Sequence, residues 1–78
     1  MLLRKRCPHT GVVNYFSESD PLMSVGSVVV EARAPQAEFA WRCYIDERAC
    51  GIVPDAALAE AHLKKAIARL DPALVRAR

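Results

Sequence analysis

Residues 24–45, SVGSVVVEARAPQAEFAWRCYI, decide the fold because they contain two strand-like runs separated by a turn. The first run is rich in valine and the second is rich in aromatic residues, and both residue types favour strands. Gly26, inside the first run, marks a bulge. Pro35 and Gln36 lie between the runs, where proline favours a turn. The stretch therefore predicts an antiparallel hairpin.

If Pro35 and Gln36 form the tip of the hairpin, the resulting register places apolar side chains on one face and the charged ones on the other. On one side of the ribbon this register gathers the apolar pairs Ala32–Phe39, Val30–Trp41 and Val28–Cys43. On the other side it gathers the pairs Arg33–Glu38 and Val29–Arg42, with Glu31 diagonal to Arg42. A slip of one residue would mix the two faces. Proline suits type I or II turns rather than the primed turns of tight hairpins. A longer loop that keeps the same side chains on each face is therefore an alternative.

A shorter strand precedes the hairpin at residues 11–17, GVVNYFS, between a glycine and a polar loop. The alternation of side chains along this strand does not decide which of its two faces is buried. Either Val13 and Tyr15 point towards the core, or Val12 and Phe16 do.

After Pro54 the pattern becomes helical. An apolar stripe at a spacing of about 3.6 residues consists of Ala59, His62, Leu63, Ala66, Ile67 and Leu70. Either Asp55 is the N-cap, or Pro54 is the first helical residue, and both put a carboxylate at the positive end of the helix dipole. Glu60 lies four residues before Lys64, which predicts an exposed ion pair. We interpret His62 as a packing residue at the margin of the core.

The predicted fold class is α+β: an antiparallel three-stranded meander with one C-terminal helix packed on one face. Whether residues 52–53 add a short fourth strand is left open. Residues 1–10 are expected to form a basic N-terminal arm and residues 11–70 a single domain. Residues 71–78 are expected to form a basic tail or a short helical turn.

The composition excludes several classes of protein. The chain has 78 residues, of which 53% are hydrophobic and 26% are charged, as in one small globular domain rather than a multidomain enzyme or a disordered chain. The apolar runs are far shorter than the roughly 20 residues that a membrane-spanning helix needs. No apolar stretch follows the basic start, so we expect no export and a cytoplasmic location. The alanine-rich composition suggests a bacterial source.

The net charge of +2 conceals an uneven distribution, because both ends are basic and the middle is acidic. The basic side chains that are candidate phosphate contacts are Arg4, Lys5, Arg6, Lys64, Lys65 and Arg69. They support an alternative function, a weak nucleic-acid-binding module that uses the termini and the end of the helix. Lysines near a helix C-terminus also complement the helix dipole without any ligand.

The predicted sheet has one face under the helix and one face left uncovered. The candidate partner surface on the uncovered face consists of Val29, Glu31, Arg33, Ala40, Arg42 and Tyr44. An exposed patch with apolar residues is typical of an interaction site. We therefore expect a non-enzymatic domain that binds another protein or itself, with a homodimer as the self-associated form.

The cysteines and histidines favour neither a metal site nor a catalytic site. Cys7, His9, Cys43 and Cys50 are acceptable zinc ligands, but they lack the closely spaced pairs of structural zinc sites. Three thiols without an export signal favour reduced, unliganded cysteines, with zinc binding and a Cys43–Cys50 disulfide as alternatives. The chain has no glycine-rich phosphate loop, nucleophile elbow or paired-histidine zinc motif. We predict no cofactor and no enzymatic activity.

Residues 50–60, CGIVPDAALAE, resemble HicB-type antitoxins in cadence, with a glycine-containing strand exit followed by an alanine- and glutamate-rich helix start. The predicted strand order is similar too, over about residues 27 to 70. The resemblance implies a toxin-binding module that also represses its own promoter. The sequence lacks the Thr-x-x-Glu-Ala pattern expected after Gly51, and we make no family assignment from it.

Overall fold

The structure is a computed structural model that describes residues 2–72. Within that range five strands and one helix follow one another in the order β1 (Leu2–Arg6), β2 (Val13–Ser17), β3 (Asp20–Ala32), β4 (Glu38–Cys43), β5 (Cys50–Val53) and α1 (Ala56–Leu70). The strands form one antiparallel sheet in chain order, and α1 packs on one face of it. The α+β class and the meander predicted from the sequence are confirmed. The helix formed by the described residues is neither long nor apolar enough to span a membrane.

The sheet has more strands than the sequence predicted, because β1 lies in the segment expected to be a basic arm. Its residues pair with β2, and Arg4 lies opposite Tyr15. Three consecutive basic residues conceal the alternation by which a strand is normally detected. The short strand that the sequence left open at residues 52–53 is present as β5. Of the predicted C-terminal tail, residues 73–78 lie outside the described part of the chain.

Of the two alternative faces of β2, the one with Val13 and Tyr15 is buried, on the helix side of the sheet. Between β2 and β3 the register shifts, because Tyr15 pairs with Gly26 whereas Phe16 pairs with Ser24. The bulge thus lies beside the glycine that the sequence marked for it.

The central hairpin has the predicted faces but not the predicted pairs. Val28 lies opposite Trp41 and Val30 lies opposite Phe39, two residues away from the expected register. The turn is a longer loop, residues 33–37, and the register is irregular between Val30 and Ala32. An even shift preserves the face of each side chain, so the division into an apolar and a mixed face survives up to Val30. Beyond the irregularity it is lost, because Ala32 of the predicted apolar face lies opposite Glu38 of the mixed face.

The core lies between α1 and the sheet. The helix contributes Ala59, Leu63, Ala66 and Ile67 to it. Asp55 is the N-cap, with Oδ1 accepting a hydrogen bond from the Ala57 N–H at 2.8 Å. At the margin His62 is exposed but stacks on Trp41, with ring centroids 5.8 Å apart. Leu70, the last member of the predicted stripe, is 40% exposed.

Candidate interaction surface

The face of the sheet opposite α1 is covered by no other element of the described residues, and a shallow groove of about 520 Å³ crosses it over β3, β4 and β5. We call this the open-face groove. The residues that line it include Val29, Glu31, Ala40, Arg42, Tyr44 and Ile52.

An apolar row crosses the middle of the open-face groove. Val29 on β3 pairs with Ala40 on β4, which in turn pairs with Ile52 on β5. These three side chains therefore lie side by side on adjacent strands. Ile52 is 58% exposed, so the row presents apolar surface to solvent.

Two opposite charges flank this row, one beyond each side of it. Arg42 lies opposite Ser27, two residues before Val29, whereas Glu31 lies two residues after Val29. Along the strand direction the two positions are four residues apart, which corresponds to about 13 Å. The diagonal Glu31–Arg42 contact and the Arg33–Glu38 pair predicted from the sequence are absent from residues 2–72, because the register is shifted.

Tyr44 borders the groove at the end of β4. Its hydroxyl and the Ser27 hydroxyl are 2.7 Å apart, and its N–H donates to the Val25 carbonyl at 2.8 Å. Ser27 is buried while Tyr44 is 49% exposed. The backbone hydrogen bond fixes the position of Tyr44 and the hydroxyl contact restrains its phenol ring, which lowers the entropy that a partner must remove on binding.

The structure brings together all but one member of the predicted partner surface. Arg33 follows the end of β3 and lines a different groove on the helix side of the sheet, near Val30 and Phe39. The irregularity after Val30 breaks the alternation that placed Arg33 beside Glu31 in the predicted hairpin.

The candidate zinc ligands do not meet. Cys43 is fully buried in the core, whereas Cys50 is exposed on the opposite face and Cys7 lies in the loop after β1. No group of three or more metal-ligating side chains occurs within residues 2–72. All three thiols are unbridged, and the opposite faces of Cys43 and Cys50 explain why the alternative disulfide is not formed. A hydrogen bond with the Thr10 side chain holds the pKa of Cys7 below its ordinary value.

The candidate phosphate contacts are spread over several surfaces. Arg4 points towards α1 and Lys5 towards the other face, where its Nζ lies 5.4 Å from the Phe16 ring centroid. Lys64 lies over the Tyr15 ring at 5.7 Å. Arg6 is exposed on β1, on the same face of the sheet as Arg4, whereas Lys65 and Arg69 are exposed four residues apart on one side of α1.

A network that the sequence did not reveal joins β1, β2 and α1. Arg4 donates from Nε to Glu60 Oε1 at 2.6 Å and from Nη2 to Oε2 at 3.1 Å, and the Tyr15 hydroxyl donates to the same carboxylate. The Arg4 guanidinium is the main cause of a lowered Glu60 pKa. Burial is the main cause of a raised Tyr15 pKa. The expected Glu60–Lys64 ion pair is therefore replaced by contacts to the sheet.

Comparison of the chain with models of known families, with curated proteins and with solved structures finds no match.

Proposed function

We propose that this protein is a non-enzymatic domain that binds a second copy of itself through the open-face groove. The observation that carries the proposal is the apolar row of Val29, Ala40 and Ile52, with Glu31 beyond one side and Arg42 beyond the other. Neither charge forms an ion pair with any residue between 2 and 72. A surface with this pattern is complementary to itself once it is turned end over end.

The symmetry of such a dimer follows from the positions of the charges. A two-fold axis that lies in the interface and runs across the strands along the apolar row reverses the strand direction of the second copy. Glu31 of each copy then lies over Ser27 of the other, one strand away from the Arg42 that pairs with this serine, so the opposite charges are neighbours across the interface while the apolar rows meet in the middle. Two sheets packed in this way lie about 10 Å apart with nearly aligned strands.

Association through the face is favoured over association through the sheet edges. The β1 edge carries Arg4, Lys5 and Arg6, and charged side chains disfavour the addition of another strand. The other edge is β5, which has four residues and is followed by Pro54. Short edges that end at proline are poor templates for strand pairing.

The size of the chain supports the same proposal. A domain of 78 residues buries a smaller share of its surface than a larger domain does, so an additional buried face contributes strongly to its stability. The unbridged thiols fit the reducing cytoplasm that we propose as its location.

The first test is the molar mass in solution as a function of protein concentration, measured by analytical ultracentrifugation. We expect a monomer–dimer equilibrium, and Ile52→Asp should raise its dissociation constant at least about tenfold because a carboxylate is buried there without a partner. Leu58→Asp is the matched control, since Leu58 is a similarly exposed apolar residue on α1. Monomer at all concentrations, or equal effects of the two variants, would contradict the proposal.

A charge exchange tests the proposed symmetry. Arg42→Glu makes two carboxylates neighbours across the interface and should weaken the dimer by about tenfold. The double variant Glu31→Arg, Arg42→Glu restores opposite charges at both sites, so its dissociation constant should return to within about threefold of the original. If the double variant is as weak as the single one, the two residues do not pair across the interface.

A further inference from the structure

The helix side of the sheet has a second groove, of about 420 Å³, at the end where α1 begins. The helix packs mainly on β3, β4 and β5, so the inner face near β1 and the β1–β2 loop remains partly uncovered. We call this the helix-side groove. Its apolar floor consists of Val13, Val28, Val30 and Phe39, and its basic side chains are Arg4, Arg6, His9 and Arg33.

The basic side chains that line the helix-side groove outnumber its carboxylates. Glu60 is the one carboxylate among the described lining residues, and Arg4 and Tyr15 already bind both of its oxygens. Arg6 lies on β1 and Arg33 in the loop after β3; both are exposed and form no ion pair within residues 2–72. Two guanidinium groups therefore border the groove with their donors available to a ligand.

The floor adds a second requirement for the ligand. Val30 and Phe39 are only half-buried, so apolar surface remains exposed in the same groove that the cationic side chains line. Guanidinium groups bind carboxylate and phosphate oxygens with paired hydrogen bonds, whereas the floor favours a hydrocarbon body. The volume lies in the range of small-molecule sites.

From this geometry we propose that the helix-side groove binds an amphiphilic anion, a carboxylate or phosphate head group on an apolar chain. Arg6 and Arg33 hold the head group, and the chain lies on Val30 and Phe39. This site is on the opposite side of the sheet from the open-face groove, so the proposal does not depend on dimerisation.

The binding test uses octanoate and octyl phosphate as probes, with acetate and octylammonium as comparisons, in calorimetric titrations of the full chain. We expect at least one of the two octyl anions to bind at least about tenfold more tightly than acetate, and octylammonium not to bind. The stronger of the two octyl anions identifies the preferred head group. If neither of them exceeds acetate, or if octylammonium binds equally well, the proposal is wrong.

Variants then locate the site. Arg33→Glu should weaken binding of the preferred probe by at least about tenfold, because it removes one donor pair and repels the head group. Arg48→Glu is the control, since Arg48 is 92% exposed, forms an ion pair with Asp46 and does not line the helix-side groove as the described residues define it. Equal losses in both variants would indicate a general charge effect and would overturn the assignment of the site.

The apolar floor is tested by Val30→Thr, which keeps the shape of the side chain and adds a hydroxyl. It should reduce the preference for octanoate over acetate by about threefold or more. An unchanged preference would remove the floor from the proposal. Repeating the titration in the Ile52→Asp variant separates the two sites, because the anion should bind equally well to a monomer.

Discussion

Leu63→Ala is expected to lower the free energy of unfolding by about 2–5 kcal/mol. Leu63 is fully buried at the centre of the contact between α1 and the sheet. The expected loss combines the transfer of the isobutyl group with the cavity that it leaves. Urea denaturation followed by circular dichroism measures the change. Leu58→Ala, at a 44% exposed position of the same helix, is the control and should change the free energy by no more than about 0.5 kcal/mol.

Gly26 makes this prediction more specific, because Leu63 occupies the space where another residue would carry its Cβ. A Cβ at position 26 would lie 2.6 Å from Leu63 Cδ1 and 3.0 Å from the Arg42 carbonyl oxygen. Gly26→Ala alone should therefore cost about 1–3 kcal/mol through overpacking.

The two variants should be strongly coupled. In the Leu63→Ala background the new methyl group enters the cavity instead of a filled core, so most of the cost of Gly26→Ala should disappear. Only the close approach to the Arg42 carbonyl then remains. Additive free energies in this double-mutant cycle would show that the leucine does not lie on the glycine.

Glu60→Ala should lower the free energy of unfolding by about 1–3 kcal/mol, the second large effect that we expect. The side chain accepts hydrogen bonds from Arg4 and from the Tyr15 hydroxyl, and Tyr15 is only 2% exposed. Without the carboxylate, the phenol hydroxyl is buried with no acceptor. In the double variant Tyr15→Phe, Glu60→Ala the orphaned hydroxyl is absent, so the added cost of Glu60→Ala should be smaller there.

The same network sets a dependence on acidic pH. The Arg4 guanidinium lowers the Glu60 pKa below its ordinary value of 4.5. A carboxyl group with a lowered pKa contributes its full stability above the unfolded value and loses it as the pH falls through the folded value. The stability difference between the natural chain and Glu60→Gln should thus be constant above about pH 4.5 and shrink below it. A difference that grows on acidification would contradict the assigned ion pair.

At alkaline pH, Tyr15 makes the stability of the fold decrease as the pH rises, the reverse of the effect of Glu60. Burial, followed by the Glu60 carboxylate, raises the Tyr15 pKa above its ordinary value of 10.0. Its contribution is complete below that value and declines as the pH rises beyond it, because the unfolded chain loses the phenol proton first. Denaturation of the natural chain and of Tyr15→Phe above pH 10 should show this decline only in the natural chain.

Local pattern was sufficient for those features that depend on neighbours within one element. The helical stripe predicted the buried positions Leu63 and Ile67. The sequence offered Asp55 as the N-cap beside the alternative of Pro54 as the first helical residue, and the structure has Asp55 as the cap. Strand parity predicted which residues of the central hairpin share a face. That prediction held up to Val30 although the register was two residues away from the expected one, because a shift of two residues preserves the face. It failed at Arg33, which follows the irregularity after Val30.

The charged contacts could not be predicted in the same way. Glu60 has a local partner in the sequence, Lys64, but its carboxylate binds Arg4, 56 residues away in the chain. β1 was missed for the same reason, since its basic residues show no amphipathic pattern until Glu60 and the helix-side groove are placed above them.

The order of the central elements and the faces of the hairpin up to Val30 follow from the sequence pattern alone. The register of the hairpin, the addition of β1, the choice of Asp55 as N-cap, the partner of Glu60 and the separation of Arg33 from Glu31 depend on how the elements pack together. The physical reason is that side-chain periodicity is a property of one element, whereas register and ion pairing depend on the packing of distant elements against each other.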